Sequence, residues 1–170
     1  TSSAASDVYK RQIQVLMKYN LIKIREGRVE DLTNVFNLIK ELAKYENALH
    51  SVKINIETLA KDGYGRNPQF KIFVAECDSK LIGMGLVYFR YSTWKGKRLY
   101  LEDLIVNKKY RRKEVGKKLL EKIINYGKRN SCSGLMLQVL DWNEIGINFY
   151  KKHDFQSVSY THLTLPTTLS

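Results

Sequence analysis

A strand, a basic loop, a helix and a second strand follow one another in the second half of the chain, and this order limits the fold more than any other feature. The run RLYLEDLIV at 98–106 is rich in apolar residues and predicts a strand, and GLMLQVLDW at 134–142 predicts another. Apolar residues between them recur at helical spacing. Because strands joined through a helix are usually parallel neighbours, the sequence predicts a parallel strand pair.

The remaining segments extend this unit into one α/β domain with a mixed sheet. Alternating apolar residues predict strands, and one-sided apolar stripes predict helices. Asn143 is a suitable N-cap for the last helix. The predicted order is β-α-α-β-β-β-α-β-α. The elements outside the parallel unit are strands over 20–27, 69–77 and 80–92, and helices over 29–46, 56–61 and 143–153.

The two ends of the chain share no periodicity with the rest. Residues 1–11 and the tail SVSYTHLTLPTTLS resemble non-native sequence of the kind added at the ends of gene fragments. We therefore expect a non-native leader over 1–16, a single native domain over 17–156 that starts at Met17, and a non-native tail over 157–170. On this expectation the domain lacks its last native strand.

Composition argues against several kinds of function. The 170 residues carry a net charge of +12, but the basic residues are spread along the chain and aromatic residues do not alternate with them as in a base-stacking surface. No apolar run reaches the roughly 20 residues that a membrane span needs. We expect a cytoplasmic protein with no metal, no membrane partner and no nucleic-acid partner. The cysteines and histidines lack metal-ligand spacing and are Cys77, Cys132, His50, His153 and His162.

The loop and helix start YRRKEVGKKLL, Tyr110 to Leu120, has the character of an anion site. Backbone N–H groups and the helix dipole favour negative charge at a helix N-terminus, and the flanking arginines and lysines add to this effect. Glu114 lies in the middle of the loop, where a carboxylate opposes the binding of phosphate. The sequence therefore predicts a phosphate loop with one unfavourable residue.

Four stretches in order resemble the GNAT superfamily of acyl-CoA N-acyltransferases, and within it the diamine (spermidine/spermine-type) acetyltransferases. They are LIKELAKYE, YLEDLIV, YRRKEVGKKLL and WNEIGINFYKK, and the resemblance spans Ile22 to Phe155. It implies a GNAT fold whose parallel strand pair splays apart, acetyl-CoA as co-substrate and a small-molecule amine as acceptor. Members of the group are commonly homodimers, so a homodimer is also implied.

The resemblance implies that acetyl-CoA binds along the splayed strand and over the basic loop. The family pattern there is Arg or Gln, two residues, Gly, one residue, and Gly or Ala. Arg111 and Gly116 match it, while Glu114 replaces the first glycine. If this position has a positive φ, glutamate costs on the order of 1 kcal/mol. The implied cofactor-binding residues are Leu104, Ile105, Val106, Arg111, Arg112, Lys113, Glu114, Val115, Gly116, Lys117, Asn143 and Gly146.

The same resemblance assigns the proton transfers to Glu102, as the group that takes a proton from the acceptor ammonium, and to Tyr150, as the acid that protonates the leaving thiolate. It implies direct attack by the amine. The implied substrate-binding residues are Tyr45, Glu46, Glu102, Met136, Leu137 and Gln138.

The acceptor itself stays open between a di- or polyamine and a lysine-like molecule. The polyamine site of the family carries an aspartate in the stretch that corresponds to YSTW, where this chain has Ser92, and a surface of net charge +12 does not steer a polycation inward. Three alternatives to this activity also remain at this stage. They are an acetyltransferase acting on protein amines, a CoA-binding module without catalysis, and a nucleic-acid-binding module.

Overall fold

The computed structural model of the chain describes residues 4–10 and 22–158. Residues 4–10 are helical. The chain divides into two compact units, residues 1–137 and residues 138–170. The expected start at Met17 and most of the expected tail lie outside the described residues.

The first unit contains a five-stranded mixed sheet in the order β1-β2-β3-β4-β5. Neighbouring strands are antiparallel from β1 to β4, whereas β4 and β5 are parallel. The predicted mixed sheet and its parallel pair are therefore confirmed. The strand predicted over 134–142 is shorter than expected and covers three residues. The strands are β1 Lys23–Glu26, β2 Lys71–Cys77, β3 Lys80–Ser92, β4 Gly96–Val106 and β5 Leu135–Leu137.

Helices cover both faces of this sheet. One face carries a buried apolar cluster shared by α1, α2 and the central strands, which includes Leu32, Leu59 and Met84. On the other face, a Cβ placed on Gly85 would lie 2.7 Å from Cδ1 of Ile123, so α3 packs directly against the backbone of β3. The helices are α1 Leu32–Tyr45, α2 Ile56–Tyr64, α3 Val115–Arg129 and, in the second unit, α4 Glu144–Lys151.

The β3–β4 hairpin continues past its neighbour β2. Pairing between β2 and β3 ends at Lys71 and Val87, whereas β3 and β4 stay paired as far as Ser92 and Gly96. The Ser92 hydroxyl accepts hydrogen bonds from the backbone N–H groups of Trp94 and Lys95, at 3.3 and 3.2 Å. Ser92 therefore builds the turn of the hairpin. Across the described residues, no helix has the length and apolar character that a membrane crossing needs.

Candidate active site

A β-bulge interrupts β4 at Glu102. In the register with β3, Leu101 pairs with Val87 and Asp103 pairs with Leu86, so Glu102 is the extra residue between them. In a regular strand, Glu102 and Asp103 would point to opposite faces of the sheet. A bulge breaks this alternation and re-aims a side chain. It thereby allows both carboxylates to act on one face.

Three carboxylates influence one another on this face. Burial raises the pKa of Asp103 to about 6, and the charges of Glu102 and Glu46 add to the shift. Burial also raises the pKa of Glu46, which directly follows α1. Carboxylates partly withheld from water favour a bound cation, and a group that titrates near neutral pH can accept a proton. Among the described residues, no three His, Cys, Asp or Glu side chains are grouped so that they could hold a metal ion.

Asp103 was not among the predicted site residues. The family resemblance indicated Glu102 alone, and in a regular strand its neighbour would lie on the opposite face of the sheet. The bulge that removes this alternation depends on the register with β3. The structure leaves the predicted role of Glu102 untested and adds Asp103 beside it.

Two tyrosines continue the same face from the carboxylates. Tyr88 and Tyr100 pair across β3 and β4, and their ring centroids lie 5.1 Å apart. Burial raises the pKa of both hydroxyls, and the negative charge of Glu102 raises both further. The Tyr88 hydroxyl also donates a hydrogen bond to Glu102, which adds to its own shift. The positive charge of Arg90 acts in the opposite direction and lowers the pKa of both hydroxyls. The face therefore passes from acidic to aromatic to basic along the hairpin.

The far end of β4 has one open edge in the described part of the first unit. Parallel pairing with β5 runs from Leu99 with Leu135 to Leu101 with Leu137, and β4 then continues to Val106. Unpaired backbone groups at a sheet edge are the groups with which an extended ligand pairs. The predicted residues Leu104, Ile105 and Val106 all lie in this segment. The Val106 carbonyl accepts a hydrogen bond from Nε of Arg111 at 3.0 Å.

The basic loop reaches α3 through left-handed backbone. Arg112 and Glu114 have φ values of 58° and 62°, and Glu114 directly precedes the first residue of the helix, Val115. The Glu114 side chain is 64% exposed and forms an ion pair with Nζ of Lys117 at 3.1 Å. The position thus has the positive φ at which glutamate is costly, while its carboxylate is turned toward solvent and partly neutralised. The first-turn N–H groups of α3, from Val115 to Lys117, have no partner within the helix and suit an anion.

Replacing Glu114 with glycine is expected to stabilise the fold by about 1 kcal/mol, because glycine adopts positive φ without strain. It is also expected to tighten acetyl-CoA binding a few-fold, because a carboxylate leaves the anion site. Glu114→Gln is the matched control, since it removes the charge and keeps the Cβ. Calorimetric titration and urea unfolding should show both gains for glycine and only the binding gain for glutamine. Weaker binding by the glycine variant would contradict a phosphate site here.

The end of α1 contacts the basic loop. The Arg111 guanidinium lies over the Tyr45 ring, 5.6 Å from its centroid, and the Asn107 side chain donates to Glu41 at 3.3 Å. Tyr45 and Glu46 are consecutive, and Glu46 acts electrostatically on Asp103. The structure therefore brings the predicted substrate residues at the end of α1 close to the predicted cofactor loop and to the carboxylate pair. Of the other predicted substrate residues in this unit, Met136 and Leu137 lie in β5 opposite Tyr100 and Leu101.

The second unit contains the remaining predicted residues. The Asn143 side chain accepts a hydrogen bond from the Gly146 N–H at 3.0 Å, so the predicted N-cap is confirmed. A Cβ on Gly146 would lie 2.8 Å from Nδ2 of Asn143, which explains the glycine. Tyr150 is half-buried between Phe149 and Phe155, with ring centroids at 5.2 and 5.5 Å. Gln138 is exposed. The cofactor, catalytic and substrate roles of these residues stay predictions.

The cap role of Asn143 can be separated from a cofactor role. Asn143→Ala is expected to lower stability by about 1 kcal/mol, because the cap is lost. Asn143→Asp keeps the cap and adds a negative charge, so it should retain stability while weakening the binding of an anionic cofactor. Urea unfolding and calorimetric titration of acetyl-CoA measure the two effects. Unchanged acetyl-CoA affinity in the aspartate variant would remove Asn143 from the cofactor site.

Comparison with known proteins identifies the family of the chain. Residues 34–155 match the model of the acetyltransferase (GNAT) family. A thialysine N-epsilon-acetyltransferase of Mus musculus is 42% identical over 137 residues, which cover 76% of this chain and 81% of that protein. Spermidine/spermine N(1)-acetyltransferase-like protein 1 of Homo sapiens is 33% identical over 144 residues, 81% of this chain and 20% of that protein.

A solved structure resembles the chain in fold. It is an aminoglycoside N-acetyltransferase in complex with CoA, with a TM-score of 0.69 and 18% identity, covering 86% of this chain and 95% of that one. The predicted fold and the predicted enzyme class, an N-acetyltransferase, are thereby confirmed. The chain belongs to the acetyltransferase (GNAT) family.

Proposed function

We propose that the protein transfers the acetyl group of acetyl-CoA to the primary amine of a small acceptor, either a di- or polyamine or a lysine-like molecule. Family membership supports the reaction type, and relatives named for thialysine and for spermidine or spermine support this class of acceptor. The observation that carries the proposal is the bulge at Glu102, because a bulge there supports a joint action of two β4 carboxylates on one cation.

Acetyl-CoA supplies the activated acetyl group when it binds. We assign its extended arm to the open edge of β4 at 104–106 and its pyrophosphate to the N-terminus of α3. The support is the edge left unpaired beyond Leu101 in the described residues and the N-terminus of α3, whose first-turn amides have no partner within the helix. Arg112, Lys113 and Lys117 add positive charge to this end.

The acceptor amine reaches the enzyme as an ammonium ion and must lose a proton before it can attack. Glu46 and Glu102 favour the cation, and Asp103 is assigned as the proton acceptor because its pKa of about 6 leaves it ionised at neutral pH. The proton transfers belong to the coupled carboxylates as a set.

The attack is direct, without an acyl-enzyme. Of the two cysteines in the sequence, Cys77 is 1% exposed in β2, and Cys132 follows α3. Neither lies on the carboxylate strand or on the basic loop. Tyr150 is assigned as the acid that protonates the departing thiolate, an assignment that rests on the resemblance of NEIGINFYKK. The homodimer stays a prediction.

The proposal is tested by mixing the full chain with acetyl-CoA and a panel of diamines, polyamines and lysine-like amines. Release of free thiol and the mass of the product are followed together. Thiol release should require the amine, initial-rate lines should intersect as for direct transfer, and the Glu102→Gln/Asp103→Asn double variant should lose turnover. Thiol release without acetylated amine, or parallel lines, would contradict the proposal.

A further inference from the structure

Two arginines face each other on the β3–β4 hairpin. Arg90 pairs with Arg98 in the antiparallel register, one step beyond the Tyr88–Tyr100 pair. Residues two apart on a strand share a face, so both arginines lie on the face of the tyrosines. Like charges directly opposite each other destabilise a sheet. A bound anion would remove that cost.

Arg98 also has a buried donor without an acceptor. Its Nε is shielded from solvent and lacks a hydrogen-bond partner among the described residues. The guanidinium lies against Gly134, where a Cβ would come within 2.9 Å of Nη2. Buried donors are normally satisfied, so this one is suited to an acceptor that arrives with a ligand. Because Gly134 has no side chain, it leaves room for the Arg98 guanidinium.

The arginines are spaced from the carboxylates by the length of a small molecule. Four positions of β4 separate Arg98 from Glu102, which is about 13 Å of extended strand. The Tyr88–Tyr100 ring pair lies between the two charged groups. The face therefore suits a ligand with an ammonium at one end, a short apolar chain and an anion at the other.

We infer that Arg90 and Arg98 bind the carboxylate of the acceptor, which makes a lysine-like amino acid the preferred substrate over a diamine or polyamine. This inference rests on the proposed function and narrows it to one substrate class. A diamine brings its second ammonium to the two guanidinium groups without a carboxylate, whereas the α-ammonium of an amino acid is accompanied by the carboxylate that the arginines bind. The polyamine pattern has an aspartate at the position of Ser92. In this chain the Ser92 hydroxyl is hydrogen-bonded within the hairpin turn, and serine supplies no negative charge for a second ammonium.

The test compares thialysine with the diamine formed by removing its carboxylate, so that the two acceptors differ only in that group. The enzymes are the full chain, Arg90→Gln, Arg98→Gln and the double variant. Lys95→Gln, which removes an exposed cation from the same hairpin, is the control. Wild-type kcat/KM is expected to be higher for thialysine. The double variant should lose about 10- to 100-fold with thialysine, as expected for a charge-assisted contact, and should keep or gain activity with the diamine.

An equal loss with both acceptors, or an unchanged preference, would overturn the inference and leave the proposed function standing. Failure of the wild-type chain to acetylate either acceptor, with acetyl-CoA still bound, would overturn the proposed function and the inference with it. Thermal unfolding and acetyl-CoA titration of the double variant provide readouts apart from turnover. Acetyl-CoA affinity should match the wild type, because the arginines lie outside the cofactor site. The melting temperature should be equal to or above that of the wild type, because two facing like charges are removed.

Discussion

Asp103→Asn is expected to lower kcat/KM for the amine acceptor by about 10²- to 10⁴-fold, the usual contribution of a positioned proton acceptor. Asparagine has nearly the same shape and keeps hydrogen-bonding groups, but it cannot take up the proton. Acetyl-CoA binding should be unchanged, because the substitution alters neither the backbone of β4 nor the charges of the basic loop. Steady-state kinetics with a saturating donor measures the loss, and a calorimetric titration checks the donor site.

The same substitution is expected to raise stability at neutral pH. The pKa of Asp103 is about 6 in the folded protein and near its ordinary value in the unfolded chain, so folding favours the protonated form. The stabilisation that the protonated Asp103 carboxyl gives to the fold is present below about pH 4 and is lost as the pH rises through about 6. The asparagine side chain of the variant carries no charge at any pH. The variant should therefore be more stable than wild type by about 1–3 kcal/mol above pH 7, after allowance for partial solvent exposure, and equal to it near pH 4.

Urea unfolding of both proteins at pH 4, 6 and 8 measures this difference. Glu57→Gln is the control, since Glu57 is an exposed carboxylate in the first turn of α2 and should change stability little. A variant that is less stable than wild type at pH 8, or that retains full kcat/KM, would remove Asp103 from the mechanism.

Tyr150→Phe is expected to lower kcat by about 10²- to 10³-fold with acetyl-CoA affinity retained, because only the proton donor is lost. Phenylalanine keeps the ring contacts with Phe149 and Phe155, so α4 should keep its packing. Tyr64→Phe is the matched control. The Tyr64 hydroxyl is buried without a hydrogen-bond partner in the described part of the chain, and burial raises its pKa to about 12, so its removal should leave kcat unchanged.

Single-turnover measurement separates the chemical step from product release in the Tyr150 variant. Loss in the single-turnover rate equal to the loss in kcat would support an acid acting on the leaving thiolate. A wild-type single-turnover rate would show that Tyr150 has no part in the chemistry. Reduced acetyl-CoA binding with normal chemistry would instead make it a cofactor contact.

The secondary structure was largely predictable because the apolar pattern was strong. The apolar stripe of α1 and the β-rich runs of β2 and β3 are local signals, and each of these elements was found near its predicted bounds. The strand at 134–142 was overestimated because its apolar run continues after Leu137, whereas a strand exists only where a neighbour pairs with it. Pairing with β4 stops there.

The residues of the candidate site could be proposed from sequence where they lie in short local motifs, and their roles stay predictions. Glu102, the basic loop and the Asn143 cap belong to contiguous stretches that resemble one family. Asp103 depends on a bulge in the register with β3, and the Arg90–Arg98 pair depends on the length of the hairpin. From the sequence alone, the energetic cost of Glu114 could be predicted only on the condition that its φ is positive. The path of the chain from β4 to α3 sets the positive φ that makes this cost real.

The most direct test of the carboxylate mechanism is the pH dependence of kcat/KM for a lysine-like amine, which reports the groups of the free enzyme. The wild-type profile should rise with pH through a limb near 6, as Asp103 loses its proton. In Asp103→Asn that limb should vanish from the residual activity, whereas Lys95→Gln should reproduce the wild-type profile. A limb near pH 6 that is unchanged in Asp103→Asn would contradict the assignment of Asp103 as the proton acceptor.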